Sequence, residues 1–193
     1  EEDTDNDNSI DSGDNCPLTH NINQLNTDAD LAAIGGALVQ GDALGDACDD
    51  NDDNDLLTDA EEDENNNLIF DNGSEPNPKD PDTDDDGVLD GVDNCILANN
   101  GDQQNTDAEL EAAGSNLVVG DELGDACDTD ADNDGLSDDA EFLIASTDPF
   151  DPDSDDDGHR DDVDNCPINS NPGQENRDQE LNNLGVDVPA DNL

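Results

Sequence analysis

Asp130-Ala131-Asp132-Asn133-Asp134-Gly135-Leu136-Ser137-Asp138-Asp139-Ala140-Glu141 is the stretch on which the fold turns. Its oxygen-bearing side chains Asp130, Asp132, Asp134, Asp138 and Glu141 stand at positions 1, 3, 5, 9 and 12, with Gly135 at position 6. A hard cation such as calcium takes about six to eight oxygens, and a twelve-residue loop supplies them at this spacing. Position 7 adds a backbone carbonyl, and the sharp turn at position 6 favours glycine.

Working outward, the pattern recurs. Asp82, Asp84, Asp86, Asp90 and Asp93 repeat it with Gly87 at the turn, and Asp153, Asp155, Asp157, Asp161 and Asp164 repeat it with Gly158. Asp3, Asp5, Asp7, Asp11 and Asp14 form a fourth loop with Asn8 at the turn, a residue that tolerates the left-handed conformation. Asn51, Asp53, Asp55, Asp59 and Glu62 form a fifth, with Leu56 where glycine is wanted. A second class is split by insertions. Asn26 and Asp28 open one such site, which Asp42, Asp46 and Asp49 close; Asn105 and Asp107 open another, closed by Asp121, Asp125 and Asp128. Asn176 and Asp178 open a third. Oxygen ligands in this number point to several calcium ions; magnesium keeps a stricter octahedron and its waters, and zinc prefers sulfur and nitrogen.

Five cysteines mark the repeat. Cys16 to Cys48 and Cys95 to Cys127 each span 32 positions, and Cys16 to Cys95 spans 79. Asp14-Asn15-Cys16-Pro17 matches Asp93-Asn94-Cys95 and Asp164-Asn165-Cys166-Pro167, and Gly45-Asp46-Ala47-Cys48-Asp49 matches Gly124-Asp125-Ala126-Cys127-Asp128. The expected divisions are 1–79, 80–150 and a truncated 151–193 in one elongated array. Regular cysteines suggest disulfides and an oxidising compartment. Cys16–Cys48 with Cys95–Cys127 is the favoured pairing, since each closes an equivalent loop and Cys166 is left over. Cys48–Cys95 with Cys127–Cys166 leaves Cys16 instead. The third repeat stops before its Gly-Asp-Ala-Cys segment, which suggests a piece of a longer polypeptide or completion by a neighbouring molecule.

Composition restricts the alternatives. The 193 residues include 58 acids and three bases, for a net charge of −55, with no Trp, Tyr or Met. Leu, Ile, Val and Phe make up about 19%, near the level at which a charged chain stays disordered. An acidic disordered chain is therefore the alternative reading, and the ordered placement of acids, glycines and cysteines argues against it. Nucleic acid and anionic lipid are repelled. The longest apolar stretch, 31–39, is too short for a membrane helix, and the start shows no signal peptide, as in a mature or excised segment.

The quoted loop, followed by Ser146-Thr147-Asp148-Pro149 and Asp151-Pro152-Asp153-Ser154-Asp155-Asp156-Asp157-Gly158, resembles the bacterial form of thrombospondin type 3 repeats. Asp93-Asn94-Cys95 and Gly124-Asp125-Ala126-Cys127-Asp128 are similar to the cysteine-bearing parts shared with the animal proteins. The resemblance implies an irregular calcium-nucleated array with short helices, EF-hand-like loops, sequential disulfides and no large hydrophobic core. It also implies a stalk or spacer in a secreted or cell-surface protein, often near adhesion modules. The insertions at 31–41, 110–120 and about 181–190 depart from the family pattern.

Each insertion follows one plan. Asp28 or Asp107 is expected to cap a helix over 29–34 or 108–113, which Gly35 or Gly114 ends. Apolar pieces follow, with Leu38 and Val39, Leu117, Val118 and Val119, and Val186 and Val188 as candidates for assembly with copies of the chain; a local cluster over the disulfide is the other reading. Residues 137–145 read as a further helix, with Phe142, Leu143 and Ile144 covering the preceding loop, as Leu68, Ile69 and Phe70 would in the first repeat. The functional expectation is an extracellular calcium-stiffened spacer, stalk or fibre segment, with filament assembly as its stronger form. A calcium-dependent, dockerin-like or adhesion module that binds a protein partner is the alternative. The acids are accounted for as ligands and no nucleophile–base pair stands out, so an enzyme is not expected.

Overall fold

The computed structural model describes residues 2–33, 39–67, 69–71 and 73–175. The sites expected at Asn176 and Asp178, and the assembly candidates Leu38, Val186 and Val188, lie outside those residues. Contacts divide the chain into two compact units, Glu1–Gln103 and Gln104–Leu193.

Regular structure is sparse. Helix α1 spans Thr27–Ala33, α2 Asp59–Glu62, α3 Thr106–Ala113 and α4 Asp138–Ala140, the last running into a single π turn at Glu141–Ala145. The insertion helices begin slightly earlier than expected, because asparagine caps them. Asn105 Oδ1 accepts from the Ala108 amide and Asn26 Oδ1 from the Ala29 amide. Asp28 and Asp107 thus sit inside the first turn and are buried, not capping. Gly114 ends α3 with φ of 93°, as its sequence position suggests. The chain then returns so closely that a Cβ at Gly120 would lie 2.6 Å from Ala108 Cα, and one at Gly41 2.6 Å from Ala29 Cα.

The interior is made of acids. Apart from prolines, the buried apolar side chains among the described residues are Cys16, Cys95, Val118 and Ala131. The largest fully buried side chains are Glu62, Glu75 and Glu141, followed by aspartates. Phe142 and Leu143 are 78% and 72% exposed, so they do not cover the loop before them. The π turn directs them outward, and Ile69 is exposed as well. Val118 packs inside, whereas Val119 is exposed and Val39 and Leu117 are half-buried. Cys16 is joined to Cys48 over a Cα–Cα distance of 5.8 Å. Cys95 and Cys127 are also disulfide-bonded, and Cys166 is free.

Candidate metal centres

Each twelve-residue loop is built by the same local rules. The residues at position 4 (Asn6, Asn54, Asp85, Asn133 and Asp156) take left-handed backbone, and so do those at position 6 (Asn8, Leu56, Gly87, Gly135 and Gly158). Leu56, at φ of 96°, adopts the turn despite its side chain. The position 5 carboxylate accepts from the amide of position 7 in all five loops: Asp7 from Ser9, Asp55 from Leu57, Asp86 from Val88, Asp134 from Leu136 and Asp157 from His159. Its other oxygen ties the loop to a neighbouring segment. Asp55 accepts from the Gly91 amide and Asp134 from the Asp162 amide, each at position 10 of the next loop. Asp7, Asp86 and Asp157 accept from the amides of Asn21, Asn100 and Asn171.

Position 9, expected among the ligands, also makes a hydrogen bond within the loop. Asp11, Asp59, Asp90, Asp138 and Asp161 each fold back to accept from the backbone amide at position 2. They close the loop. The acids brought together are those at positions 1, 3 and 5 of the loops at 3–14 and 82–93 and at positions 3, 5 and 12 of the loop at 51–62. Carboxylate oxygens of Asp3, Asp5 and Asp7, of Asp82, Asp84 and Asp86, and of Asp53, Asp55 and Glu62 all come within 4.8 Å of one another. The split sites condense to Asp28, Asp42 and Asp49, and to Asp107, Asp121 and Asp128, by the same measure. Asn26 and Asn105 serve as caps there, while Asp46 and Asp125 accept from the backbone and hydroxyl of Thr27 and Thr106. Asn51 Oδ1 accepts from the Asn54 amide.

Many of these oxygens have nothing to bond. One oxygen each of Asp5, Asp53, Asp84, Asp132 and Asp155, all at position 3, is buried without a hydrogen-bond donor. At position 12 the same holds for one oxygen of Asp14, Asp93 and Asp164 and for both oxygens of Glu62 and Glu141. Asp3, Asp107 and Asp130 each add one more. Buried polar groups are almost always paired, and two carboxylates this close repel by about 3–4 kcal/mol at an effective dielectric of about 20. Without a cation the acids respond by holding protons. Burial, with Asp53 and Asp55 beside it, pushes Glu62 up to about 9, and burial with Asp55 lifts Asp53 to about 7. Burial raises Asp132 to about 8 and Glu141 to about 7. Asp5, Asp84 and Asp155 are raised for the same first reason. Orphaned, inward-facing carboxylate oxygens in a twelve-residue oxygen loop are what a calcium ion requires, so the donor set fits that ion.

Residues 1–24, 120–141 and 148–174 match the thrombospondin type 3 repeat model. These three segments are similar to thrombospondin type 3 repeats. These repeats are calcium-binding structural modules rather than enzymes, and the clustered acids and disulfide-bonded cysteines fit that character. The matched segments hold three of the five loops, and the loops at 51–62 and 82–93 lie outside them with the same internal hydrogen bonds. No curated protein matches the sequence. No helix among the described residues is long and apolar enough to cross a membrane.

Two features of the repeats escaped the sequence reading. The first is an Asn–Gln tie after each N-terminal cysteine. Gln24, Gln103 and Gln174 accept from the amides of Asn15, Asn94 and Asn165 and donate to Asp14, Asp93 and Asp164. These ties fix one oxygen of each position 12 aspartate and leave the other turned inward. The signal was present as an asparagine directly before, and a glutamine at a constant offset after, Cys16, Cys95 and Cys166. The second is a sixth loop, residues 63–75, with left-handed Asn66 at position 4 and the Ile69 amide donating to Asn67 Oδ1. Its Asp-x-Asn-x-Asn opening is the same pattern with amides in place of acids.

Proposed function

We propose that this chain is a calcium-binding spacer or stalk segment that works outside the cell, with calcium held at positions 1, 3, 5 and 12 of the five loops and in the two split triads. The observation that carries this reading is the set of buried, donorless carboxylate oxygens, repeated at the same positions from loop to loop. Ions bound there would satisfy those oxygens and remove the repulsion, so binding free energy becomes folding free energy. Even eight divalent ions would offset only part of the −55 charge, and the remaining repulsion favours an extended array. Disulfide-bonded cysteines suit an oxidising exterior. Filament formation is the stronger form of this reading, and the exposed Val119 is the residue of the second insertion on which it would rest.

Small-angle X-ray scattering in excess calcium and in chelator tests it. A compact globule of this length has a radius of gyration of about 16 Å and an unfolded chain about 47 Å. The expected result is a rod-like curve in calcium that gives way to a coil-like one in chelator. Growth into very large particles with calcium would support the filament. Identical coil-like curves in both buffers would overturn the proposal.

A further inference from the structure

Unlike the acids at the centre of the five loops, Asp71 and Glu75 in the segment 63–75 have donors. Asn65 Nδ2 donates to Asp71 Oδ2 at 3.0 Å and to Glu75 Oε2 at 2.8 Å, and Asn67 Nδ2 donates to Asp71 Oδ2 at 2.8 Å. The Asp71 amide donates to Glu75 Oε1 at 2.6 Å. Glu75 is 1% exposed, yet both of its oxygens have donors. Four residues further on, Lys79 Nζ lies 2.6 Å from both Asp46 and Asp52. Those two acids come from the closing half of a split site and from the second position of the loop at 51–62, and their side chains are 11% and 8% exposed. Lys79 is the one lysine of the sequence.

The second unit has no counterpart to this arrangement among the described residues. Ala131 stands where the first repeat has Asp52, Phe150 follows Pro149 as Lys79 follows Pro78, and six residues (142–147) replace the longer 63–76. The ion pair described there, Arg160 with Asp162, joins residues two apart and bridges no segments.

We infer that Asn65, Asn67 and Lys79 form a calcium-independent clamp, in which two side-chain amides serve Asp71 and Glu75 and one ammonium serves an oxygen each of Asp46 and Asp52, leaving one Asp52 oxygen without a donor. The first unit then keeps local order around 63–79 when calcium is withdrawn, and the second unit has no equivalent. The clamp gives the array an order of disassembly, from a part that needs ions to a part that brings its own donors. The inference rests on the reading that the remaining loops need calcium.

Hydrogen–deuterium exchange with mass spectrometry on the whole chain, in excess calcium and in chelator, tests it. In chelator, peptides covering 63–79 should exchange at least about tenfold more slowly than those covering 142–150. Lys79→Met and the double variant Asn65→Ala/Asn67→Ala should lose that difference, while peptides over 130–141 exchange as in the parent in excess calcium. Calcium per chain, counted by native mass spectrometry, should be the same for both variants and the parent. Equal loss of protection in both units in chelator overturns the clamp and leaves the calcium reading standing. Protection that chelator alters in neither unit overturns the calcium reading and the clamp with it. A double variant that binds one ion fewer shows that 63–75 takes calcium itself, and overturns the clamp.

Discussion

The loops at 51–62 and 130–141 occupy the same place in two repeats and reach the same frame by different means. Asp53 and Asp55 in one, and Asp132 and Asp134 in the other, are fully buried, and both close on a glutamate with two orphaned oxygens. The second loop does this with Asp130 at position 1 and Gly135 at the turn. The first has Asn51 and Leu56 there, and accepts a left-handed leucine. It also carries Asp52, buried and held by Lys79, where the second has Ala131. The frame is thus set by where oxygens must converge. Individual positions can be poor if a neighbour compensates.

Protonation should separate the two loops most. In the ion-free protein Glu62 rises from 4.5 to about 9, and Glu141 only to about 7. A raised carboxyl pKa means that the folded state holds a proton the unfolded chain sheds. Its contribution is complete below 4.5 and is lost as pH climbs to about 9 for Glu62 or about 7 for Glu141. Ion-free protein should therefore weaken as pH rises, and calcium should release protons as it binds. Near pH 8 (an assay condition of about that value), Glu62→Gln should remove more of the release than Glu141→Gln. Titration calorimetry in buffers of different ionisation heat reads this directly; equal losses would remove the distinction between the loops.

The glutamates can next be compared as ligands. Each glutamine variant should weaken calcium at its own loop by roughly 10–100-fold or more, since even outer-shell partners contribute that much. Competition against a chelating dye measures it. The larger loss is expected at 51–62, whose Asn51 gives one charge fewer.

A smaller effect should come from the turn. Leu56→Gly relieves a left-handed backbone that costs about 1–2 kcal/mol, so that loop should gain stability in urea melts of the calcium form. Gly135→Ala imposes the same strain and brings a Cβ to 3.0 Å from Asp162, so it should lose a similar amount. Opposite signs are the prediction; matching signs would break the equivalence of the turns.

The smallest difference should follow from giving the first repeat the second repeat's pair, Asp52→Ala with Lys79→Phe. In excess calcium the double variant should lie within about 1 kcal/mol of the parent, because a half-exposed ion pair contributes little. Lys79→Phe alone should cost more than the pair, because it leaves buried Asp52 unbalanced, whereas Asp52→Ala alone keeps Lys79 on Asp46.

The loops and cysteines were legible because calcium and disulfides impose fixed spacings. A loop needs oxygens at set intervals, and a turn needs residues that accept positive φ; both leave marks in order along the chain. The helices at 27–33 and 106–113 were legible within two residues, missing only which residue caps them. The burial of hydrophobic residues was misread at Phe142 and Leu143, since in a protein filled with carboxylates the usual rule that apolar side chains fill the interior has little to act on.

The sequence by itself pointed to an irregular, disulfide-bonded protein organised around oxygen ligands, because acids, glycines and cysteines recur at fixed spacings, where composition alone also fits an acidic disordered chain. The tertiary structure alone decided which acids face inward. Nearly every oxygen loop offers more carboxylates than one ion can use, and spacing does not tell a ligand from a lock. Backbone amides and glutamine side-chain amides made that choice. They claim position 9 to close the loop, half of position 5 to dock the next segment and half of each position 12 aspartate through the glutamine tie, and the oxygens they leave unclaimed are the ones that converge.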